Sequence, residues 1–87
     1  MNNIALGKVL RTFILDKYDW IVDYKINNYS YGFVEKYTIY YFVDSSVDEG
    51  EEKKIKKMTE QLFKSLGPGR SETFGGVEFI YNNRKKP

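Results

Sequence analysis

The side chains in this sequence that could perform chemistry are carboxylates, lysines and tyrosines, because the chain contains no cysteine and no histidine. That absence excludes thiolate nucleophiles, serine–histidine–aspartate triads and nearly all zinc sites. Acid–base catalysis by Tyr, Asp or Glu leaves no recognisable sequence pattern. Because no nucleophile is visibly paired with a base, we expect a protein that is not an enzyme and that uses no cofactor.

Two groups of acidic residues could be considered as metal sites. The first consists of Asp16, Asp19 and Asp23, whose spacing does not match that of a calcium-binding loop. The second lies at the start of a predicted helix and consists of Asp48, Glu49, Glu51 and Glu52. Acidic residues are favoured there by the helix dipole. We expect both groups to be solvated and to hold no metal.

The run Gly67-Pro68-Gly69-Arg70 has the glycine content of a phosphate-binding loop. Such a loop follows a strand and opens a helix, so that backbone amides and the helix dipole point at the anion. Here a predicted helix comes before the run and a predicted strand follows it. The sequence therefore predicts a plain turn.

A row of lysines lies on the polar side of the second predicted helix. We call it the lysine ridge, and it consists of Lys53, Lys56, Lys57 and Lys64. Its simplest interpretation is an exposed helix face, and the alternative is a phosphate-contacting surface with salt-dependent binding. The formal net charge of +2 is too small to indicate nucleic acid by itself.

The most informative stretch is residues 31–44, which is crowded with aromatic and β-branched side chains and predicts a strand. One face carries Phe33, Tyr37, Ile39, Tyr41 and Val43, with Glu35 as an exception. The opposite face carries Val34, Lys36, Thr38, Tyr40 and Phe42. The strand is therefore either covered on both faces, or covered on one face while it presents aromatic groups to a partner on the other. If only one face is covered, Ile39 and Val43 favour the first face as the core.

Part of this stretch is similar to a motif of RNA-recognition domains, K/R-G-F/Y-G/A-F-V-x-F/Y, whose aromatic side chains stack on bases. Residues 31–34 match four consecutive positions of the motif. Tyr29, Ser30 and Lys36 differ from it at the basic, glycine and final aromatic positions. The match is partial, and we do not assign the chain to that family.

Two elements are predicted before this strand. Residues 3–16 predict a helix, with an inward face that consists of Leu6, Val9, Leu10 and Phe13 and with Ile14 at its border. Residues 18–27 predict a half-buried strand whose inward side chains are Tyr18, Trp20, Val22, Tyr24 and Ile26. Residues 27–32 predict the turn of an antiparallel hairpin.

Two more elements are predicted after it. A capping box of Ser46 and Glu49 predicts a helix that ends at Leu66, with Gly67 as its C-terminal stop. Its apolar stripe consists of Ile55, Met58, Leu62 and Leu66, flanked by Phe63. Residues 73–82 predict a last strand, with Thr73, Val77, Phe79 and Tyr81 on one face and a bulge at Gly75-Gly76.

Together these elements predict one α+β domain over residues 1–87, in the order helix, strand, strand, helix, strand. We expect a three-stranded sheet with two helices on one face, which is a truncated ferredoxin-like arrangement. The last two strands should be parallel. Residues 82–87 predict a basic, frayed tail.

The sequence also bears on location. It contains no apolar run of the roughly 18 residues that a membrane-spanning helix requires. It shows no signal-peptide pattern, because Lys8 interrupts the first apolar stretch. We expect a soluble cytoplasmic protein with no membrane partner. The frequent Lys, Asn, Ile and Tyr are typical of an AT-rich genome, which suggests a phage or bacterial origin.

These observations favour a non-enzymatic binding module that uses an aromatic sheet face. A protein partner or a second copy of the chain fits best, because the net charge is small and Tyr and Phe are common at protein interfaces. The alternative is a single-stranded RNA-binding module. It would stack bases on Tyr40 and Phe42, with Lys36 on the same binding face, and it would contact phosphates with the lysine ridge and the basic tail at 84–86.

Overall fold

The computed structural model describes residues 3–44, 47–69 and 72–81. Helix α1 (Asn3–Leu10) continues directly into a π-helical segment (Arg11–Leu15). The remaining elements are β1 (Ile21–Tyr31), β2 (Val34–Val43), α2 (Glu49–Ser65) and β3 (Glu72–Tyr81). None of the helices in the described ranges is long and apolar enough to cross a membrane.

The three strands form one sheet in the order β1-β2-β3, so the tyrosine-rich strand β2 lies at its centre. Strand β2 runs antiparallel to β1 and parallel to β3. The predicted α+β, ferredoxin-like arrangement is confirmed. The predicted turn at 27–32 is wrong in extent, because β1 continues to Tyr31 and the loop is only Gly32-Phe33. Gly32 has a positive φ of 58°, which the first residue of a two-residue hairpin loop requires.

The core lies between the sheet and both helices. Strand β2 contributes Tyr37, Ile39, Tyr41 and Val43, all buried, as the sequence predicted. The helical layer contributes Leu6, Leu10, Ile14, Leu15, Ile55 and Phe63. Phe33 does not belong to this face, because it lies in the hairpin loop and is 95% exposed.

The inward face of the first helix changes at its C-terminal half. Leu6 and Leu10 are buried as predicted, but Phe13 is 47% exposed while Ile14 and Leu15 are buried. The amide of Asp16 donates to the carbonyl of Arg11 at 2.9 Å, which is an i→i+5 bond. A π-helical turn contains more residues than an α-helical turn, so the next inward-facing position comes later in the sequence. The inward position therefore moves from residue 13 to residues 14 and 15.

A bulge changes the inward face of β1 in a similar way. Ile21 pairs with Val43 and Asp23 pairs with Phe42, so Val22 is the additional residue on β1. Ile21 is therefore buried, whereas Val22, which we predicted to face inward, is 51% exposed. Tyr18 and Trp20 precede the strand instead of lying in it, although both still pack against the core.

Helix α2 begins at Glu49, two residues later than a cap at Ser46 predicted. Its N-cap is Asp48, whose carboxylate accepts a hydrogen bond from the amide of Glu51 at 2.9 Å. Ser46, the predicted cap, lies outside the described residues. The fully buried positions are Ile55, Thr59 and Phe63, while Met58, Leu62 and Leu66 are only half-buried. Gly67 follows the helix with a φ of 67°, as a C-terminal stop does.

Strand β3 contains the bulge that the glycine pair predicted. Tyr37 pairs with Phe74 and Thr38 pairs with Gly76, so Gly75 is the additional residue. The bulge moves Phe74 onto the core face, and Thr73, which we predicted there, is exposed. Arg70 and the basic tail at 82–87 lie outside the described residues.

Candidate functional site

Both helices pack on one face of the sheet, and within the described part of the chain no element covers the other. We call this second face the open face. On β2 it consists of Val34, Lys36, Thr38, Tyr40 and Phe42, all half-buried or exposed. Strands β1 and β3 extend the open face on either side. It is the surface on which a partner could meet aromatic groups held by a regular backbone.

The strand register sets the neighbours of each aromatic group on the open face. Tyr40 lies between Lys25 of β1 and Glu78 of β3. Phe42 lies between Asp23 of β1 and Ile80 of β3. Each ring is thus flanked by one acidic neighbour, and Tyr40 also has a lysine beside it. At this end of the open face, the two rings therefore form an apolar centre that charged side chains border.

A second aromatic group lies at the hairpin end of the sheet. We call it the tip cluster, and it consists of Tyr29, Tyr31, Phe33 and Val34. The rings of Tyr29 and Tyr31 meet edge to face with centroids 5.4 Å apart, and Tyr31 is 63% exposed. These side chains were not among the predicted site residues, although residues 31–34 match part of the RNA-recognition motif. Their i,i+2 spacing next to a Gly32 turn was the available signal.

The structure brings together only some of the predicted site residues. Lys36, Tyr40 and Phe42 lie on the open face. The lysine ridge lies on the solvent side of α2, because the buried positions Ile55, Thr59 and Phe63 occupy the opposite side of that helix. The lysine ridge and the aromatic rings therefore face away from each other, with the core between them.

Part of the charge on the lysine ridge is compensated locally. Lys64 pairs with Glu60 one helical turn earlier, with nitrogen and oxygen 3.1 Å apart. Both side chains are largely exposed, so this pair contributes little to stability. It reduces the positive potential at the C-terminal half of the ridge.

A carboxylate pair lies at the edge of the core, around Tyr37. Glu35 and Glu72 are neighbours across β2 and β3, and the Tyr37 hydroxyl lies 3.3 Å from a carboxylate oxygen of each. Burial, together with the nearby negative charges, raises the pKa of Tyr37 to about 12. The phenol therefore stays protonated at neutral pH and acts as a hydrogen-bond donor, not as a base. Among the described residues, no three acidic side chains converge as metal ligands would.

A groove of about 380 Å³ lies beside the outer edge of β1. Its lining combines α1 and β1 residues: Asn3, Ile4, Arg11, Asp23, Tyr24, Lys25 and Ile26. The guanidinium carbon of Arg11 lies 5.5 Å from the centre of the Tyr24 ring, which is a cation–π distance. This groove could not be predicted from the sequence, because it depends on how α1 lies along β1.

Comparison with known proteins supports the fold. No protein-family model matches the chain, and no curated protein sequence matches it. Among solved structures, the chain is similar to the C-terminal domain of MamB, a magnetosome protein of Desulfamplus magnetovallimortis BW-1. The TM-score is 0.61 at 20% sequence identity, over 97% of this chain and 94% of that one. At this identity the likeness shows a shared fold alone.

Proposed function

We propose that this chain is a non-enzymatic binding module whose open face receives another protein. The observation that carries the proposal is the position of β2. A central strand with four buried side chains on one face presents Tyr40 and Phe42 on a face that no described element covers. A rigid sheet holds these rings at little further entropic cost, and aromatic side chains are enriched at the centres of protein interfaces.

The charges of the open face favour protein over nucleic acid. Its cations Lys25 and Lys36 are balanced by Asp23 and Glu78 on the same face. A surface that follows a phosphate backbone requires a net positive charge. The lysine ridge cannot supply that charge to a base stacked on Tyr40, because it lies on the other side of the domain.

The proposal predicts that loss of one ring on the open face weakens binding and that loss of one lysine from the ridge does not. The tagged protein is used to capture partners from an extract of its native host, with and without nuclease. We expect a protein that wild type and Lys57→Ala retain and that Tyr40→Ala loses, whether or not nuclease is added. Equal retention by Tyr40→Ala would overturn the proposal.

A titration with short single-stranded RNAs at two ionic strengths tests the alternative. Saturable binding that is lost in Tyr40→Ala and that falls steeply with salt would replace the protein partner with RNA. We expect no micromolar binding. The cytoplasmic location and the phage or bacterial origin stay predictions.

A further inference from the structure

We propose that the outer edge of β1 pairs with the same edge of a second copy, antiparallel and about a two-fold axis at Asn28, which joins the two three-stranded sheets into one. This inference concerns the strand edge and does not depend on the open face. It rests on the outward backbone groups of β1, on the hydrogen bond that already occupies the Tyr24 amide, and on the side chains beside the edge.

The backbone groups that face outward on β1 follow from the hairpin. Tyr31 and Val34 flank the two-residue loop, and such flanking residues exchange backbone hydrogen bonds. Hydrogen-bonded and non-hydrogen-bonded pairs alternate along an antiparallel ladder. The amides and carbonyls of Ile26, Asn28 and Ser30 therefore point away from β2, along the outer edge. An edge strand with such a row is a template for another strand.

The outward amide of Tyr24 is already occupied. It donates to the Asp23 carboxylate at 2.8 Å, next to the bulge at Ile21 and Asp23. Pairing that requires the Tyr24 amide would have to displace this bond. A two-fold axis at Asn28 avoids that cost, because it pairs Ile26 with Ser30 of the other copy and Asn28 with itself. Each of these residues then both donates and accepts across the interface.

The side chains suit this register. It places Lys25 of one copy opposite Tyr31 of the other, and Asn27 opposite Tyr29. No like charges stand opposite each other, and the exposed Tyr31 ring gains a cation as its neighbour. Ile4 lines the groove beside the outer edge of β1 and is 72% exposed. A second copy at this edge would shield apolar surface of Ile4 that α1 otherwise presents to water.

The other edge of the sheet is less suited to this role. Strand β3 is interrupted at Gly75 by its bulge, which shortens the regular run that a partner strand could follow. On β1 the run from Tyr24 to Tyr31 is regular, contains no proline and carries a single charge, that of Lys25. Natural edges that resist pairing carry bulges, prolines or several charges.

Two measurements test the proposal on the full chain. Sedimentation velocity over a concentration series should show a monomer–dimer equilibrium, and backbone hydrogen exchange should report where the copies meet. We expect the amides of Ile26, Asn28 and Ser30 to exchange more slowly as the concentration rises. The amides that already bond β2, such as that of Asn27, should change little. A strict monomer throughout, or association with unchanged exchange at these amides, would overturn the proposal.

A matched pair of variants isolates the backbone contribution. Asn28→Pro removes an outward amide that the β1–β2 ladder does not use, and proline is tolerated on edge strands. Asn28→Ala retains the amide, and both variants lose the contact that Asn28 makes with Asn3. We expect dimerisation to weaken at least tenfold in Asn28→Pro and to persist in Asn28→Ala. Equal dimerisation of the two variants would overturn the proposal.

The outcome is separable from that of the open face. Tyr40→Ala should leave the dimer and the edge protection unchanged. If Tyr40→Ala abolished self-association while Asn28→Pro retained it, the copies would meet through the open face, and the edge proposal would fail while the open-face proposal survived.

Discussion

The hydroxyl oxygens of Tyr41 and Thr59 lie 2.7 Å apart in the core, where they join the centre of the sheet to the centre of α2. The Thr59 hydroxyl also donates to the carbonyl of Ile55 at 2.8 Å. Because a carbonyl can only accept, the single hydrogen of Thr59 is used there, and Tyr41 must be the donor in the pair. Both side chains are fully buried, so neither hydroxyl has water as an alternative partner.

This pair predicts strongly non-additive effects of substitution. Tyr41→Phe leaves an acceptor of Thr59 unsatisfied, and Thr59→Val leaves the Tyr41 hydroxyl without its acceptor. Each single change should lower the free energy of unfolding by about 1–3 kcal/mol. The double variant should lose clearly less than the sum of the two, because no buried hydroxyl of the pair is then left alone. Urea denaturation of the four proteins measures the coupling, and strict additivity would show that the two hydroxyls do not interact.

A second prediction concerns alkaline pH. Burial and the charges of Glu35 and Glu72 raise the pKa of Tyr37 from 10.0 to about 12. Below about pH 9 the phenol is protonated in both the folded and the unfolded chain, so its contribution to stability is fully present. Between pH 10 and pH 12 the unfolded chain releases the proton while the folded chain retains it, so stability falls as the pH rises.

The matched variant is Tyr37→Phe, which cannot titrate at this position. The difference in unfolding free energy between wild type and Tyr37→Phe should be constant below pH 9 and should shift against wild type from pH 10 upward. Lysine deprotonation affects both proteins and cancels in the difference. A difference that stays constant to pH 12 would contradict the raised pKa.

The sequence was sufficient for the architecture because the hydrophobic periods of β2 and α2 are long and uninterrupted. Alternation placed Tyr37, Ile39, Tyr41 and Val43 on one face, and all four are buried. The order of elements then required two helices on that face and a parallel last strand. These features depend on local pattern and chain connectivity, which a single sequence carries.

The inward positions were wrong wherever one residue is inserted into a regular period. The π-helical segment moves the buried position from Phe13 to Ile14, and the bulge at Val22 moves it to Ile21. The bulge in β3 could be predicted in place, from its glycine pair, but its effect on Phe74 could not. Such insertions are selected by the fit between α1, β1 and the core, which the local pattern does not contain.

The candidate site was predictable in part for the same reason. The outward side of β2 follows from alternation, so Lys36, Tyr40 and Phe42 were placed on one surface. The separation of the lysine ridge from that surface depends on how the layers pack. Helix α2 packs against the opposite face of the sheet and directs its lysines away from it. The contact of Tyr37 with Glu72 joins residues far apart in sequence, and it depends on the parallel register of β2 and β3.

A third prediction concerns the apolar stripe of α2 and asks which of its residues contributes most to the stability of the protein. Phe63 is 1% exposed, and its ring centroid lies 5.5 Å from those of Tyr37 and Phe74. Phe63→Ala should cost about 3–5 kcal/mol. Leu62→Ala, at a half-buried position, should cost less than about 2 kcal/mol. If urea denaturation showed equal losses of unfolding free energy for the two variants, Leu62 would lie at the centre of the contact between α2 and the sheet, as the sequence pattern alone suggested.

The final prediction concerns the bulge in β3, where Gly75 passes close to β2. A Cβ atom at this residue would lie 2.9 Å from the Tyr37 carbonyl oxygen and 2.9 Å from the Thr38 hydroxyl oxygen. The carbonyl belongs to the backbone of the central strand and cannot move aside without disturbing the ladder. Gly75→Ala should therefore destabilise the protein by about 1–3 kcal/mol through steric overlap.

Gly69→Ala is the matched control for this change. A Cβ atom there would make only ordinary contact, at 3.6 Å from a flexible carboxylate oxygen of Glu72. Its effect on stability should be small, because the loss of unfolded-chain entropy offsets minor strain. Thermal unfolding of wild type and the two variants gives the comparison. If Gly75→Ala were as stable as Gly69→Ala, β3 would have to lie farther from Tyr37 and Thr38 than the register of the bulge places it.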